Sequence, residues 1–236
     1  MSTNISYVDD TLNLLTGCSK VSEGCAHCYA QVTCHRMKGN PNPKTAFKFR
    51  NGFSVVTEHP QYLDDPKLHG KPKKIFLNSL ADTFHADVSQ SFLEKMFEMI
   101  SDHPQHIFLV LTKRPENFSR IQVYPGNVWL GVTVESDKYL YRLDILKKQS
   151  VSVKYVSFEP LLSPIPGDAI QGLDWVIVGG ESGPRARPMD LDWAREIREA
   201  CEFYRVPLWF KQVGGKGRVK GGHFLDGEVI YQFPAP

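Results

Sequence analysis

From residue 75 onward, short apolar runs alternate with stretches in which apolar residues recur every three or four positions. The runs are IFLNS (75–79), IFLVLT (107–112), VWLGVTV (128–134), VKYVSF (153–158), WVIVGG (175–180) and PLWFKQ (207–212). Each is β-branched or aromatic and nearly continuous in apolar character, as a parallel strand covered on both faces should be. TLNLL (11–15) is a candidate first strand. Between the runs, Ser89 and Ser91 precede a stripe of Phe92, Met96, Phe97 and Ile100. Residues 137–148 carry Leu140, Leu143, Ile145 and Leu146, and Leu191 to Tyr204 places Trp193, Ile197, Cys201 and Tyr204 on one face. These are amphipathic helices, and their alternation with strands predicts repeated βα units.

Six or seven such repeats admit an open doubly wound sheet or a barrel. The polar residues separate the two. Almost every strand ends in a polar cluster: Asn78, Ser79 and Asp82; Thr112, Lys113 and Arg114; Thr133 and Glu135; Ser157 and Glu159; Glu181 and Ser182; Lys211 and Gln212. Barrels take functional groups from the C-terminal ends of several strands, whereas an open sheet concentrates them at one switch point. A full eight-stranded barrel takes about 250 residues, and this chain of 236 devotes about 40 to an insertion. The expectation is one α/β domain over 1–236, a partial barrel of six or seven βα units. Each tip residue also has a structural reading, as a turn or a strand end, but charges of both signs along one mouth need partners or a charged ligand.

The insertion, at about 35–74, is where charge changes the picture. The whole chain carries +2, yet from His35 to Lys74 nine Lys or Arg stand against three acids, a surplus of +6 that leaves the remainder at −4. Prolines, glycines and three phenylalanines without a sustained period predict an irregular basic loop, either a solvated face or a surface that tracks phosphates. Composition adds boundaries: 42% hydrophobic and 23% charged residues suit a globular chain and exclude long disorder and coiled coil. No apolar run approaches the roughly 20 residues of a membrane helix, and MSTNISYVDD lacks the order of a signal peptide, so a cytoplasmic protein with no membrane partner is expected.

Five cysteines are too few for a disulfide scaffold, and Cys18, Cys25, Cys28 and Cys34 cluster within 17 residues. TGCSKVSEGCAHCYA sets the first three as C-x6-C-x2-C, a spacing that lets thiolates share a metal centre. Three outcomes compete. Zinc needs four ligands, which Cys34, His27 or His35 would complete; a 4Fe-4S cluster on three cysteines leaves one iron without a protein ligand; bare thiols need nothing. The loop follows the first strand, at the end of the barrel that carries the polar tips, which favours the catalytic cluster. Cys34, in a segment that can start a helix, is a doubtful fourth ligand, and Cys201, on an apolar helical stripe, reads as a core thiol.

The chain resembles the radical S-adenosylmethionine (SAM) superfamily, and more closely a phage-associated family of three-cysteine, radical-SAM-like proteins of uncharacterised activity. The resemblance runs almost end to end through TGCSKVSEGCAHCYA, IFLNSLADTFH, LVLTKRP, NVWLGVTVES, VSFEPLL, DWVIVGGESGPRARPMD, VPLWFKQVGG and FLDGEVIYQFP. It implies a (βα)6–7 TIM-like barrel of radical SAM type. It also implies a 4Fe-4S cluster on Cys18, Cys25 and Cys28, with the free iron chelated by the amino and carboxylate groups of SAM. An external, flavodoxin-like electron donor would drive cleavage of SAM to methionine and a 5′-deoxyadenosyl radical. The residue before the last cysteine often packs on adenine in this superfamily, which maps to His27. Gly179-Gly180-Glu181 copies the letters of the phrase that holds the methionine amino group, but after a late strand; Asn78, Ser79 and Asp82 are the alternative. Most members use C-x3-C-x2-C, and this loop is longer by three residues.

Radical chemistry suits unactivated C–H bonds. The phage association and the basic insertion together suggest isomerase or lyase chemistry on a nucleotide or DNA base, including photoproduct repair, in the host cytoplasm. Glu159, Glu181, Lys113 and Lys211 are the candidate catalytic groups. Arg114, Glu135, Arg185, Arg187 and Gln212 are candidate substrate contacts, the arginines for phosphate or carboxylate. The competing class is a cluster-bearing or zinc-bearing nucleic-acid binding or sensing protein without radical catalysis.

Overall fold

In chain order, β1 (Asp10–Leu12) and β2 (Leu15–Thr16) precede α1 (Tyr29–Lys38), α2 (Pro43–Lys48), β3 (Thr57–Glu58) and β4 (Lys74–Leu77). There follow α3 (Gln90–Ser101), β5 (Ile107–Thr112), β6 (Val128–Thr133), α4 (Tyr141–Lys147), β7 (Val153–Phe158), β8 (Trp175–Gly179), α5 (Leu191–Tyr204) and β9 (Leu208–Gln212). This computed structural model describes residues 5–217 and 220–235. The main sheet has seven strands in the order β1-β4-β5-β6-β7-β8-β9. That order follows the chain without reversal, so there is no switch point, and the α/β class is that of the expected partial (βα) barrel. Every residue of β6 and of β8 is buried, as strands covered on both faces require.

By contact, the chain divides into two units. One holds Cys28–Trp129 and Ser150–Ser152 with the N-terminal stretch up to Val21; the other holds Ser22–His27, Leu130–Gln149 and the chain from Val153 onward. In the first, β1 and β4 run parallel with Asp10 beside Ile75 and Leu12 beside Leu77, and β4 pairs with β5 from Lys74 beside Ile107. TLNLL does not form one strand. The amide oxygen of Asn78 accepts the N–H groups of Leu14 (2.8 Å) and Leu15 (3.0 Å), and the chain bends into β2, which pairs antiparallel with β3. Ser89 caps α3 by accepting from the Phe92 N–H at 3.2 Å, and the helix buries Phe92, Leu93, Met96, Phe97, Met99 and Ile100.

The insertion is more regular than its composition suggests. α1 runs to Lys38, Asn42 caps α2 ahead of Pro43, and single turns of tighter helix occupy Pro60–Tyr62 and Pro66–Leu68. Part of its positive charge is turned inward. Lys48 donates to the Asn13 carbonyl (2.8 Å) above the Tyr62 ring, and Lys67 pairs with Asp10 (2.8 Å). Burial drives the Lys48 amine down to about 8.

In the second unit, β7 pairs with β8 (Tyr155 beside Trp175) and β8 with β9 (Val176 beside Leu208). Gly131 lies against the Tyr155 ring, and any side chain there would collide with it. Residues 137–148 split into a tight turn and the shorter α4, which buries Arg142 with Leu143 and Leu146. α5 begins at the Asp190 cap and buries Ala194, Ile197, Ala200 and Cys201. The open side of β9 is occupied by the C-terminal segment: the Phe210 N–H donates to the Ile230 carbonyl (2.9 Å) and the Gln232 N–H to Leu208 (3.0 Å). Tyr231 stacks on Trp209 at 4.1 Å with 5° between the rings. Among the described residues, no helix is long and apolar enough to cross a membrane.

Candidate active site

In the first unit the tips of β4 and β5 converge on the start of the cysteine loop. Asp82 is 7% exposed and accepts at both oxygens: Oδ1 from the Phe84 N–H (3.0 Å) and the Thr112 hydroxyl (2.6 Å), Oδ2 from the Lys113 N–H (3.1 Å) and Arg114 Nη1 (2.9 Å). The guanidinium so fixed reaches the loop. Arg114 Nη2 donates to the Ser19 carbonyl (2.8 Å) and hydroxyl (2.9 Å), and Nη1 lies 3.6 Å from the Cys18 sulfur. Burial works against the charge on Arg114, but Asp82 and then Cys18 hold the guanidinium above its ordinary range. Ser19 also bonds His85 Nε2 at 2.7 Å, and burial followed by Arg114 keeps that imidazole below its usual value.

These contacts place three of the expected site residues against partners inside the protein. Arg114, expected at the substrate, is committed to Asp82 and the loop. Asp82, expected at SAM, has all four of those hydrogen bonds inside the protein. Asn78 is 2% exposed in a left-handed conformation (φ 58°), and beyond Leu14 and Leu15 its amide nitrogen donates to Thr83 (3.0 Å). The same nitrogen also lies 3.6 Å from the Met96 sulfur, so its side chain, an expected SAM contact, is engaged within the protein. Ser79 bonds Asn13 at 3.1 Å, while its carbonyl accepts from the Tyr29 hydroxyl.

In the second unit the tips of β6 and β8 hold the remainder of the loop. Glu135 is fully buried. Its Oε1 accepts from the Ser22 hydroxyl (2.5 Å), and its Oε2 takes Arg142 Nη1 (2.9 Å), which also donates to the Thr133 carbonyl. Gly24 packs on this carboxylate: a Cβ would sit 2.5 Å from Glu135 Cγ. Glu135, an expected substrate contact, is thus held within the protein by Ser22 and Arg142. Ser22 Oγ is in turn 3.5 Å from the Cys25 sulfur.

Glu181 accepts from the Arg187 N–H (2.9 Å), Nε (3.0 Å) and Nη2 (2.7 Å), and bonds His27 Nδ1 at 3.1 Å. Burial opposes its ionisation, but the Arg187 hydrogen bonds, with His27 behind them, hold the carboxyl at about 2. Arg187 also donates to the Glu23 carbonyl at 3.0 Å. The pair thus orients His27 and clasps the loop. Gly179 and Gly180 have a packing reason to be glycine. A Cβ on Gly179 would stand 2.7 Å from Glu159 Oε1, and one on Gly180 would strike the Val213 carbonyl. Gln212 closes the same junction, donating to the Gly180 carbonyl at 3.0 Å.

Glu159, just past the end of β7, and Lys211, on β9, pair with each other at 2.8 Å, and Ser157 steadies the carboxylate at 3.0 Å. Lys220 belongs to the same neighbourhood: burial, then Lys211, lowers its amine, and Glu159 opposes the shift. Arg185 is exposed, and Lys113 is half-buried at the end of β5.

The five thiols differ in access. Cys18, Cys25 and Cys28 are partly exposed, and Cys28 occupies the N-cap position of α1 without a side-chain capping hydrogen bond. Cys34 and Cys201 are buried, and burial drives both thiols up, Cys201 to about 12. Among the described residues, no three His, Cys, Asp or Glu side chains are drawn together as a ready-made metal site. The donor chemistry nonetheless fits an iron–sulfur cluster: three accessible sulfurs in one loop, one of them beside a guanidinium. Spacing alone does not single out Ser19, Ser22, His85 or Arg142. Their only sequence signal is a polar residue inside an otherwise loop-like or helical stretch.

Fold and site together define an α/β protein of parallel strands in barrel order, with a cysteine loop held by charged strand ends. Over residues 2–234 the chain matches a family described as protein of unknown function (DUF5131), and it belongs to that family. No curated protein matches it. Among solved structures it is similar to a double mutant of spore photoproduct lyase with bound AdoMet and dinucleoside spore photoproduct. The identity is 12% and the TM-score 0.50, over 83% of this chain and 62% of that one. Spore photoproduct lyase complexed with the dinucleoside gives 14% and 0.47 over the same shares. The chain thus spans 62% of the length of these solved relatives, and the likeness is one of fold.

Proposed function

We propose that the protein is a radical SAM enzyme, with a 4Fe-4S cluster on Cys18, Cys25 and Cys28, acting on a nucleotide or DNA base by isomerase or lyase chemistry. The observation that carries this reading is the sorting of the thiols: three are accessible and lie in a loop gripped by buried charged residues, while the other two are buried in the core. When bound, the cluster and SAM supply one-electron chemistry able to remove hydrogen from an unactivated C–H bond. The chain's own part is to bind and orient. His27, fixed through Nδ1 by Glu181, offers its ring to the adenine of SAM. Glu159 and Lys211 form the ion pair able to hold or move a proton at the substrate, and Lys113 and Arg185 are the cations for its phosphates. The bound dinucleoside and AdoMet of the lyase that shares the fold are consistent with this substrate class.

Anaerobic reconstitution should give about four irons per chain, and after reduction SAM should be consumed to methionine and 5′-deoxyadenosine. A full cluster that leaves SAM intact would make the protein a cluster-bearing binding or sensing module. Zinc that iron reconstitution does not displace would sink both readings. Lys211→Gln should lower kcat/KM toward the nucleotide by about 10²-fold or more while leaving iron content unchanged.

A further inference from the structure

Arg114 is an unusual residue to find beside a metal-ligating cysteine. Its guanidinium is buried, 5% exposed, and held from three directions before it meets sulfur: by Asp82 through Nη1, and by the Ser19 carbonyl and hydroxyl through Nη2. Asp82 itself is immobilised by the Thr112 hydroxyl and by the Phe84 and Lys113 N–H groups. The Arg114 N–H donates in turn to the Thr112 hydroxyl oxygen at 2.9 Å. The fork is planar, so these contacts fix where Nη1 points, and it points at the Cys18 sulfur, 3.6 Å away. A guanidinium held this firmly inside the protein cannot swing out to a substrate phosphate without breaking the buried pair with Asp82.

We propose that Arg114 is a hydrogen-bond donor to the Cys18 thiolate that sets the reduction potential of the cluster. This rests on the cluster assigned under the proposed function. Reduction adds an electron to a cluster whose charge is shared with its thiolate ligands, and a fixed cation donating to one sulfur stabilises the more negative state. Arg114 is thereby a positioning residue: it acts through Cys18 and does not touch substrate. Asp82, in the loop after β4, is the counter-anion that keeps it in place.

The test is a potentiometric titration of the anaerobically reconstituted protein, followed by electron paramagnetic resonance, on wild type, Arg114→Lys and Arg114→Gln. Arg114→Gln should keep its iron and move the potential negative, shifting the reduced-to-oxidised ratio about tenfold, or about 59 mV for one electron. Arg114→Lys, which keeps charge but not the fork, should fall between. Should either variant fail to fold, the wild-type protein grown with ¹⁵N-arginine answers independently: the reduced cluster should show a hyperfine coupling to one arginine nitrogen. Unchanged potentials at full iron content, or no nitrogen coupling, would overturn the proposal and leave the enzyme reading standing. A wild-type protein that takes up no cluster would remove both.

Discussion

Glu135 and Arg142 face each other at 2.9 Å, and their side chains are 0% and 1% exposed. A buried pair of this kind adds little net stability over an apolar pair, but removing one member strands the other charge. Among the described residues Arg142 Nε has no hydrogen-bond partner, and its guanidinium rests 4.3 Å above the Tyr139 ring. Glu135→Ala is therefore expected to cost about 3–5 kcal/mol, read as a lower urea midpoint. The same variant removes the acceptor of Ser22, so its cysteine loop should become more sensitive to protease.

Asn78, the residue after β4, has a role that can be tested by stability. Its amide serves Leu14, Leu15 and Thr83 at once, in a left-handed conformation that asparagine tolerates better than most residues. Asn78→Ala should lose roughly 2–4 kcal/mol, because two buried N–H groups are orphaned. If Asn78 bound SAM instead, the folding midpoint would hold and only the affinity for SAM would fall.

Glu181 predicts a pH signature. Its carboxyl is held at about 2 against an ordinary 4.5, so its contribution to stability is complete above the ordinary value and is lost as pH falls through the interval to 2. Denaturation midpoints of wild type and Glu181→Gln should differ most at neutral pH and converge on acidification. Parallel curves from pH 7 to 3 would show that the Arg187 clasp does not act through charge.

The thiols separate by iron retention. Cys25→Ala should lose cluster iron, whereas Cys34→Ala and Cys201→Ala, both at buried positions, should keep it. Equal losses in all three would mean that the ligand set is misplaced.

Strand and helix placement was legible because period and apolar continuity are local properties. The segments 107–112, 153–158 and 191–204 fold as their patterns predict. TLNLL failed for a non-local reason: the residue that interrupts it, Asn78, lies some sixty positions on. The charged tips were legible as a set, but their roles were not. Whether Glu135 meets a substrate or Arg142 depends on partners that spacing does not reveal, and Asp82 finds Arg114 thirty-two residues away. The glycines of Gly179-Gly180-Glu181 echo a SAM-binding phrase, yet their neighbours give them a packing role in this fold. Composition predicts an irregular insertion because it cannot register a well-placed cap such as Asn42.

The C-terminal segment that lies along β9 has a consequence for the molecule in solution. β9 ends the sheet, and a terminal strand with bare N–H and C=O groups is a template on which another chain can add. Ile230 and Gln232 occupy those groups, and Tyr231 lays its ring over Trp209. The closing phrase FLDGEVIYQFP, which holds none of the assigned site residues, thus acts as a guard against self-association: a chain cut before Phe224 would keep its cysteine loop and yet present an adhesive edge.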